Sequence, residues 1–335
     1  MNILITGGAG GIGSTLALLL KKNGHTPVVV DNLNNGYIAN LIEDGEMICD
    51  FYQDDILESA KMFFILEKHS IDVVIHLAAI TALPVCESDP AECIKVNVAG
   101  TASILDAVRK SRGQRVIVAS TSAIYENNSR LDAPFEEDIE VTPRLFYPLS
   151  KKLMEEVIQS YIKNYDMDIV TLRFFNVFGP RQDIHRESPP LINYIAKTII
   201  NGKDPVFYSN GKQVRDYVHV DDVVNLIELC LSKEEAKNEI FNVCTNTLTS
   251  VRDIIGYAES AFQEPIKPTF NPSTKFWSGY PILNEGEKTL KPEVLEREVN
   301  KFALGSYDKA KEILGWKPNT DIESLMIDTM RKIKL

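Results

Sequence analysis

The sequence has few cysteines and no long apolar run. Five of its 335 residues are cysteine. They lie in or beside apolar runs, with neither a C-x-x-C pair nor a histidine cluster at metal-ligand spacing, so we expect reduced core thiols in a cytoplasmic protein and no metal site. No apolar run approaches the roughly 20 residues of a membrane-spanning helix. The first apolar run begins at residue 3 without a preceding basic region, and we expect neither a secretory leader nor a membrane span.

Positive charge is also in short supply. Lys and Arg number 36 against 47 Asp and Glu, which gives a formal net charge of −11. A surface of this sign repels nucleic acids and anionic membranes, so we expect neither as a partner. A phosphorylated small molecule stays compatible with it if arginine or lysine lies at the binding site. The composition, with 44% hydrophobic and 25% charged residues, is that of a globular protein, and the length suits one large and one smaller lobe.

A glycine-rich turn lies close to the first residue. The apolar run 3–5 is followed by Thr-Gly-Gly-Ala-Gly-Gly-Ile-Gly-Ser at 6–14 and then by an amphipathic, leucine-rich segment. In such a strand–turn–helix unit, Gly7 permits the tight turn, Gly10 lets backbone N–H groups approach a pyrophosphate, and Gly13 lets the helix pack closely on the strand. The anion then lies at the positive end of the helix. The pattern predicts a dinucleotide site.

An acidic residue selects among the dinucleotides. The second buried-strand pattern, 27–30, ends at Asp31. A carboxylate about twenty residues after the glycine turn hydrogen-bonds the ribose hydroxyls of NAD. Because the same carboxylate repels a ribose 2′-phosphate, NAD is favoured over NADP. A loop-capping role is the alternative for Asp31.

Helix and strand patterns alternate over the first half of the chain. Helix-like and strand-like stretches follow one another, in this order, at 57–68, 73–77, 91–109, 116–119, 149–164 and 169–172. This alternation predicts βαβ units, and so a Rossmann-type, doubly wound parallel α/β sheet with helices on both faces. Prolines interrupt the pattern after about residue 175. We therefore predict an NAD-binding domain over 1–175, to which about 210–245 return, and a smaller, partly interleaved α/β substrate lobe over 176–335.

Two residues with a chemical role share the start of a helical stretch. Tyr147 and Lys151 are four positions apart, which places them on one helix face. A lysine ammonium lowers the pKa of a nearby phenol from its usual value of about 10, which would make Tyr147 a base near neutral pH. Hydroxyl side chains at 120–122 follow a strand at the sheet edge where ligands bind. These hydroxyls are candidates to hold a substrate oxygen, or they close a turn.

Together these motifs resemble the extended short-chain dehydrogenase/reductase family, in its nucleotide-sugar epimerase and dehydratase branch. The G-x-x-G-x-x-G spacing of the turn is typical of that family. The other segments that carry the resemblance, over almost the full length of the chain, are 31–33, 55–56, 76–79, 97–101, 120–125, 147–151, 173–182, 215–222 and 314–318. The resemblance implies the α/β fold described above, with NAD as cofactor.

The resemblance also implies roles for individual residues. Tyr147, Lys151 and Thr121 would be catalytic. The residues implied around NAD are Gly7, Gly10, Gly11, Ile12, Gly13, Asp31, Asn32, Asn34, Asn35, Gly36, Asp55, Ile56, Leu77, Ala78, Ala79, Asn97 and Phe174. Those implied at the nucleotide sugar are Thr81, Ser122, Asn176, Arg215 and Arg297, the two arginines binding the diphosphate. For Arg215 and Asp216, a surface ion pair is the alternative.

The two positions after Thr121 distinguish the reactions of this family. In its 4,6-dehydratases an Asp-Glu pair follows the catalytic threonine, and its decarboxylases have a glutamate there, whereas this chain has Ser122 and Ala123. Neither exchanges a proton near neutral pH. The resemblance therefore favours a 4-epimerase that oxidises and re-reduces C4 of a UDP-hexose, UDP-N-acetylhexosamine or UDP-uronic acid. A 4,6-dehydratase, a C3/C5 epimerase and a 4-oxidase are the alternatives, and a non-catalytic NAD-binding regulator is a remote one.

Three departures from the family pattern concern the site. Glu126 replaces the usual glycine, and we expect its carboxylate to point to solvent rather than to select the substrate. Pro148 and Leu149 replace small residues, which could shift the start of the helix. Cys86 lies where polar residues are common and puts the sugar contacts of that loop in doubt. The resemblance also implies a homodimer through helices near 95–110 and 150–165.

Overall fold

The structure of the protein is a computed structural model that describes residues 1–112, 114–126, 133–186, 189–280, 283 and 287–333. The strands are β1 (Asn2–Thr6), β2 (Thr26–Val30), β3 (Ile42–Glu43), β4 (Glu46–Met47), β5 (Asp50–Tyr52), β6 (Val73–His76), β7 (Arg115–Thr121), β8 (Ile169–Phe174), β9 (Asn176–Phe178), β10 (Val206–Tyr208), β11 (Val214–His219), β12 (Ile240–Val243), β13 (Leu248–Ser250) and β14 (Thr269–Asn271). The helices are α1 (Gly11–Lys22), α2 (Ser59–Lys68), α3 (Leu83–Ser88), α4 (Pro90–Ile94), α5 (Gly100–Lys110), α6 (Phe146–Tyr165), α7 (Leu191–Ile200), α8 (Val220–Ser232), α9 (Val251–Phe262), α10 (Pro292–Asn300), α11 (Asp308–Leu314) and α12 (Ile322–Lys332).

One parallel sheet forms the centre of the molecule. Its seven strands lie in the order β5–β2–β1–β6–β7–β8–β12, and each neighbouring pair is parallel. The chain winds outward in one direction from β1 to β5 and in the other from β6 to β12. In sheets of this kind ligands bind at the carboxyl ends of the strands, next to the point where the winding reverses. The predicted doubly wound α/β fold is confirmed.

Both faces of this sheet are apolar because helices cover both. Ile3 and Ile5 of β1 belong to a buried cluster with side chains of α1, α8 and α11, whereas Leu4 belongs to one with side chains of α2, α5 and α6. Successive residues of a strand point to opposite faces, so each strand is a continuous apolar run. These are the short runs on which the strand predictions were based.

Two predicted helices differ in detail. The stretch 91–109 divides into α4, a π-helical turn at Lys95–Ala99 and α5. Single π-helical turns within helices often occur at functional sites, and this one contains Asn97. Helix α6 begins at Phe146 rather than at 149, because proline is tolerated in a first helical turn. Tyr147 therefore lies inside the first turn of α6.

The later part of the chain forms a second, smaller core. Strands β13, β11 and β9 make a three-stranded sheet, β10 pairs with β14, and side chains of α7, α9 and α12 pack together. Helix α9 begins with a capping box between Ser250 and Asp253. Within the described residues, every helix is too short or too polar to traverse a lipid bilayer.

Candidate active site

The turn between β1 and α1 accepts only glycine at two positions. Gly7 has a φ of +71°, and a Cβ there would lie 2.7 Å from the backbone nitrogen of Ala78. A Cβ on Gly13 would lie 2.5 Å from the carbonyl oxygen of Gly7. Real Cβ atoms do not approach backbone atoms this closely, so the absent side chains let β1, α1 and the segment after β6 meet.

The first turn of α1 presents backbone donors to this surface. Gly10 precedes the helix and provides no side-chain cap. In the part of the chain that the structure describes, the N–H groups of Gly11, Ile12 and Gly13 have no acceptor. Unpaired donors at a helix N-terminus attract phosphate through hydrogen bonds and the helix dipole. These residues fit the diphosphate of NAD.

Asp31 lies at the carboxyl end of β2. Its Oδ2 accepts the N–H of Ala9 at 3.0 Å and its Oδ1 accepts that of Leu33 at 2.8 Å. The side chain is buried, which raises its pKa, whereas the two hydrogen bonds act in the opposite direction. A Cβ on Gly36 would lie 2.9 Å from both carboxylate oxygens. Each oxygen keeps a lone pair, so a rigid carboxylate can accept two ribose hydroxyls.

The loop after Asp31 is tied to the end of β5. Asn32 donates from Nδ2 to Asp55 Oδ2 at 3.1 Å and accepts the N–H of Asn34 at 3.1 Å. Asn34 and Asn35 are exposed, and Ile56 is buried beside Asp55. The structure therefore brings these predicted NAD residues together along one rim of the sheet.

The segment after β6 forms the facing wall. Leu77, Ala78 and Ala79 are half-buried there. Asn97 accepts the N–H of Ile80 at 2.8 Å and donates to its carbonyl oxygen at 2.9 Å. The amide of Asn97 thus holds the backbone of this wall, which is a positioning function.

The Asp31 carboxylate predicts the cofactor preference of the protein. We expect Asp31→Ala to bind NADH roughly 10- to 100-fold more weakly, since hydrogen bonds to a charged group are worth about 1.5–3 kcal/mol. NADPH should bind more tightly than to the unaltered protein, because the repulsion of the 2′-phosphate is lost. Fluorescence titration with both nucleotides measures this. Asp50→Ala removes the same charge from an exposed position and should bind both as the unaltered protein does; a similar loss there would contradict the assignment.

The ends of β7 and β8 carry the chemical groups. Thr121 is the register partner of Phe174, so both lie at the carboxyl edge of the sheet. Tyr147, from the first turn of α6, lines the same cavity as Thr121, and hydrogen bonding by Thr121 acts to lower the pKa of its phenol. Burial raises the pKa of Tyr147 to about 12, and this hydrogen bond opposes the rise. Thr121 Oγ1 also accepts the N–H of Ala123 at 3.1 Å, which fixes its position.

Lys151 lies one helical turn after Tyr147 and is buried. Its Nζ donates to the carbonyl oxygen of Ala119 at 2.8 Å, and burial lowers its pKa to about 8. Burial dominates the pKa of Tyr147, and Arg186 acts on the phenol in the lowering direction. The lowering by Lys151 stays a prediction. The hydrogen bond to Ala119 directs the ammonium to β7.

Because the ammonium of Lys151 is buried, we expect its removal to stabilise the folded protein. Burial lowers the pKa of Lys151 in the folded protein to about 8, against an ordinary 10.5. Below pH 8 the lysine is charged in both the folded and the unfolded protein, and its buried charge destabilises the folded state in full. Between pH 8 and pH 10.5 this destabilisation decreases, because the folded protein carries the neutral amine. At about 1.4 kcal/mol per pKa unit the cost is about 3 kcal/mol at pH 7. We expect Lys151→Met to raise the free energy of unfolding at pH 7 by about 2 kcal/mol after the loss of one hydrogen bond.

Urea denaturation of both proteins at pH 7 and at pH 10 checks this. The advantage of the methionine variant should shrink at the higher pH. Equal stability at pH 7 would contradict the burial argument.

A buried polar network lies behind Thr121. Glu155 accepts from Arg173 Nε at 3.0 Å and Nη2 at 2.8 Å, and from the hydroxyl of Ser120. Arg173 also donates to the hydroxyl of Tyr125 at 2.7 Å, which donates to Asn242 Oδ1 at 2.9 Å. The network joins β7, α6, β8 and β12, and it fixes the helix that carries Tyr147 against the strand that carries Thr121.

Two acidic side chains hold the start of α6. Glu126 accepts the N–H groups of Arg144 and Leu145, and Glu87 accepts that of Phe146. Glu126 is 8% exposed, so the expectation that it points to solvent is wrong. Carboxylates at a helix N-terminus are favourable because of the helix dipole, and these two set the approach of the chain to Tyr147.

A cavity of about 700 Å³ opens in front of Thr121 and Tyr147. Four of the five predicted sugar-nucleotide residues line it, namely Thr81, Ser122, Asn176 and Arg215. Asn176 Nδ2 donates to the carbonyl oxygen of Asp216 at 2.8 Å. Cys86 is fully buried and donates to the carbonyl oxygen of Ile80 at 3.7 Å. The loop therefore turns this thiol inward, whereas Thr81 of the same loop lines the cavity.

Arg215 and Asp216 do not form an ion pair with each other. Arg215 donates to the carbonyl oxygens of Glu298, at 3.0 Å, and Lys301. Asp216 accepts the N–H of Thr245 at 2.8 Å and the N–H of Asn246 at 2.9 Å. These bonds join the end of α10 to β11, with the guanidinium in the cavity wall.

Two arginines differ from expectation. Arg297 is not among the residues that line this cavity; it lies with Glu126 and Arg144 around a second, small cavity. The reason is the orientation of α10, which turns Glu298 rather than Arg297 to the large cavity. Conversely Arg186, which the motifs did not indicate, lines the large cavity near Tyr147. The only feature of the sequence that could have indicated Arg186 is its position, four residues after the motif segment 173–182.

Comparison with known proteins agrees with this geometry. A model of the NAD dependent epimerase/dehydratase family matches residues 3–244. A UDP-glucose 4-epimerase of Mycolicibacterium smegmatis is 31% identical over 320 residues, covering 95% of this chain and 94% of that protein. A dTDP-D-glucose 4,6-dehydratase of Dictyostelium discoideum is 32% identical over 267 residues, covering 75% of this chain and 60% of that protein. The crystal structure of the UDP-glucose 4-epimerase of Thermotoga maritima with UDP-glucose superposes with a TM-score of 0.86 at 29% identity, covering 99% and 98% of the chains.

The chain therefore belongs to the NAD dependent epimerase/dehydratase family. The family predicted from the motifs is confirmed, and so is NAD as the cofactor.

Proposed function

We propose that the protein is an NAD-dependent nucleotide-sugar 4-epimerase that acts on a UDP-hexose, UDP-N-acetylhexosamine or UDP-uronic acid. The observation that carries this is the placement of Thr121 and Tyr147 in the wall of one cavity, where only Ser122 and Ala123 follow Thr121. A water elimination needs an acid and a base on this strand end, and neither side chain provides one. A reaction that needs a single proton carrier fits the site.

In this proposal Tyr147 moves the only proton. Its oxygen takes the proton of the C4 hydroxyl and returns it after the sugar has presented its other face. Thr121 holds the C4 oxygen in line, and the ammonium of Lys151, one helical turn from Tyr147, lowers the pKa of the phenol. When bound, NAD supplies a reversible hydride acceptor and remains with the enzyme.

In the same proposal the substrate is held by side chains from both parts of the chain that line the cavity. Arg215 binds the diphosphate, and Asn176, Thr81 and Ser122 contact the sugar end. The diphosphate then serves as the pivot about which the sugar turns in the 700 Å³ cavity. We propose that 1–175 and about 210–245 bind mainly NAD and that the remainder of 176–335 binds mainly the sugar nucleotide. Thr81, Ser122 and Arg215 are the substrate residues that the first part contributes.

Assembly and location remain part of the proposal. We propose a homodimer through helices near 95–110 and 150–165. A cytoplasmic location is supported by the cysteines, each of which is an unpaired thiol.

Proton NMR in D2O tests the function. The purified protein, without added NAD, is incubated with UDP-glucose, UDP-galactose and their N-acetyl and uronic forms. Interconversion of a gluco/galacto pair without deuterium at carbon is expected. Deuterium at a ring or C6 carbon would instead indicate a dehydratase or a C3/C5 epimerase. One of the relatives reported above is named as a dehydratase. A lasting keto sugar would assign an oxidase.

A further inference from the structure

Cationic side chains line the wall of the cavity. Among the described residues that line it, the charged side chains are Arg186, Arg215, Glu298 and Lys301. Glu298 and Lys301 form an ion pair with each other, so they add no net charge. Two arginines therefore line a pocket in a chain whose formal charge is −11. This charge favours a ligand with more than one anionic group.

The two arginines lie at different places in that cavity. Arg215 is bound to the end of α10, and its charge interacts with Glu298 and Tyr217. The charge of Arg186 interacts first with Asp183 and then with Tyr280 and Tyr147, and it opposes the rise in the pKa of Tyr147. One cation thus lies on β11, and the other lies in the same cavity wall as Tyr147, where its charge acts on the phenol.

Asp183 is the acidic neighbour of Arg186. One of its oxygens accepts the N–H groups of His185 at 2.8 Å and Arg186 at 3.2 Å and the hydroxyl of Tyr37 at 3.0 Å. These bonds fold the segment 183–186 into a turn. The turn carries Arg186 to the cavity wall.

The sugars that the proposed function allows differ in the charge of the group next to C4. The C4 hydroxyl lies at Tyr147 in the proposed reaction, and the adjacent C5 carries C6. In a uronic acid C6 is a carboxylate, whereas in a hexose it is a neutral hydroxymethyl group. The C2 substituent of an N-acetylhexosamine is neutral and lies across the ring. Only the uronate puts an anion next to the reacting carbon, and arginine pairs with carboxylates through two parallel hydrogen bonds.

We propose that Arg186 binds the C6 carboxylate of the sugar, so that the substrate is a nucleotide-linked uronic acid. The inference rests on the proposed function, because the position of Tyr147 defines where C4 lies. It narrows the substrate class that the catalytic residues leave open.

The test compares a charged with a neutral sugar. For the unaltered, NAD-loaded enzyme we expect kcat/KM to be higher for UDP-glucuronate than for UDP-glucose. In Arg186→Gln the KM for UDP-glucuronate should rise roughly 10- to 100-fold, the value of a hydrogen bond to a charged group, while the KM for UDP-glucose stays unchanged. Arg215→Gln should raise both KM values together. Arg331→Gln, which removes one charge from α12, is the matched control and should alter neither.

Calorimetric titration with UDP separates folding from recognition. Unchanged UDP binding by Arg186→Gln shows that the variant is folded. If that variant raises both KM values equally, Arg186 serves the diphosphate and the inference is wrong. If the unaltered enzyme interconverts UDP-glucose and UDP-galactose but not the uronates, the inference is wrong and the proposed function holds. If no sugar nucleotide is epimerised, the proposed function itself fails.

Discussion

Replacement of Tyr147 by phenylalanine is expected to lower kcat by about 10²- to 10⁴-fold, the usual contribution of a positioned acid–base group. The hydroxyl of Tyr147 is the proposed proton carrier, and the phenyl ring of the variant fills the same space. NAD and the sugar nucleotide should therefore remain bound. Initial rates of epimerisation by NMR, together with the NAD absorbance released on denaturation, measure both properties. A rate within a few-fold of the unaltered enzyme would exclude Tyr147 as the proton carrier.

Thr121→Val is the control for this prediction. It keeps the phenol but removes a hydrogen bond that lowers the pKa of Tyr147. A base must be deprotonated to act, so activity rises with pH towards the pKa of Tyr147. The valine variant should shift that rise to higher pH, and Tyr147→Phe should lose it.

The second large effect concerns stability. We expect Glu155→Gln to lower the free energy of unfolding by about 3–5 kcal/mol, because breaking a buried ion pair leaves the other charge uncompensated. The side chains of Glu155 and Arg173 are each 5% exposed. Urea denaturation monitored by circular dichroism gives the value.

The same helix offers a matched control. Glu156 pairs with Lys152 on the solvent side of α6, and its side chain is 62% exposed. Glu156→Gln removes the same charge one residue away and should cost less than about 1 kcal/mol. Equal losses in the two variants would mean that burial of the Glu155–Arg173 pair carries no special energetic weight.

The fold was predictable because its signals are local. Strands buried on both faces are continuous apolar runs, and the glycine turn is marked by the positive φ of Gly7 and by the contact of Gly13 within one strand–turn–helix unit. The π-helical turn around Asn97 was not predictable, since it spans only Lys95–Ala99 and a stretch this short contains too few residues to establish its own apolar spacing. The start of α6 was misplaced by the presence of Pro148, which a first turn tolerates.

The site was predictable only in part, and for a different reason. Thr121, Tyr147 and Asp31 follow strands or share a helix face, so local pattern places them. Arg297, Glu126 and Arg186 depend on how distant segments pack, and the sequence contains no periodic signal for that. Glu126 shows the difficulty, because the two N–H groups that it accepts belong to residues 144 and 145.

The last strand of the central sheet has a consequence for biosynthesis. β12 completes the edge beside β8, yet the whole segment 175–239 is translated between them. During that interval β8 exposes unpaired N–H and C=O groups, and an open strand edge invites pairing with other chains. Asn242, the last member of the Arg173 network, arrives with the same strand. The growing chain therefore passes through a stage at which its first half is long enough to collapse but lacks its closing strand, and that stage is the one most in need of a chaperone.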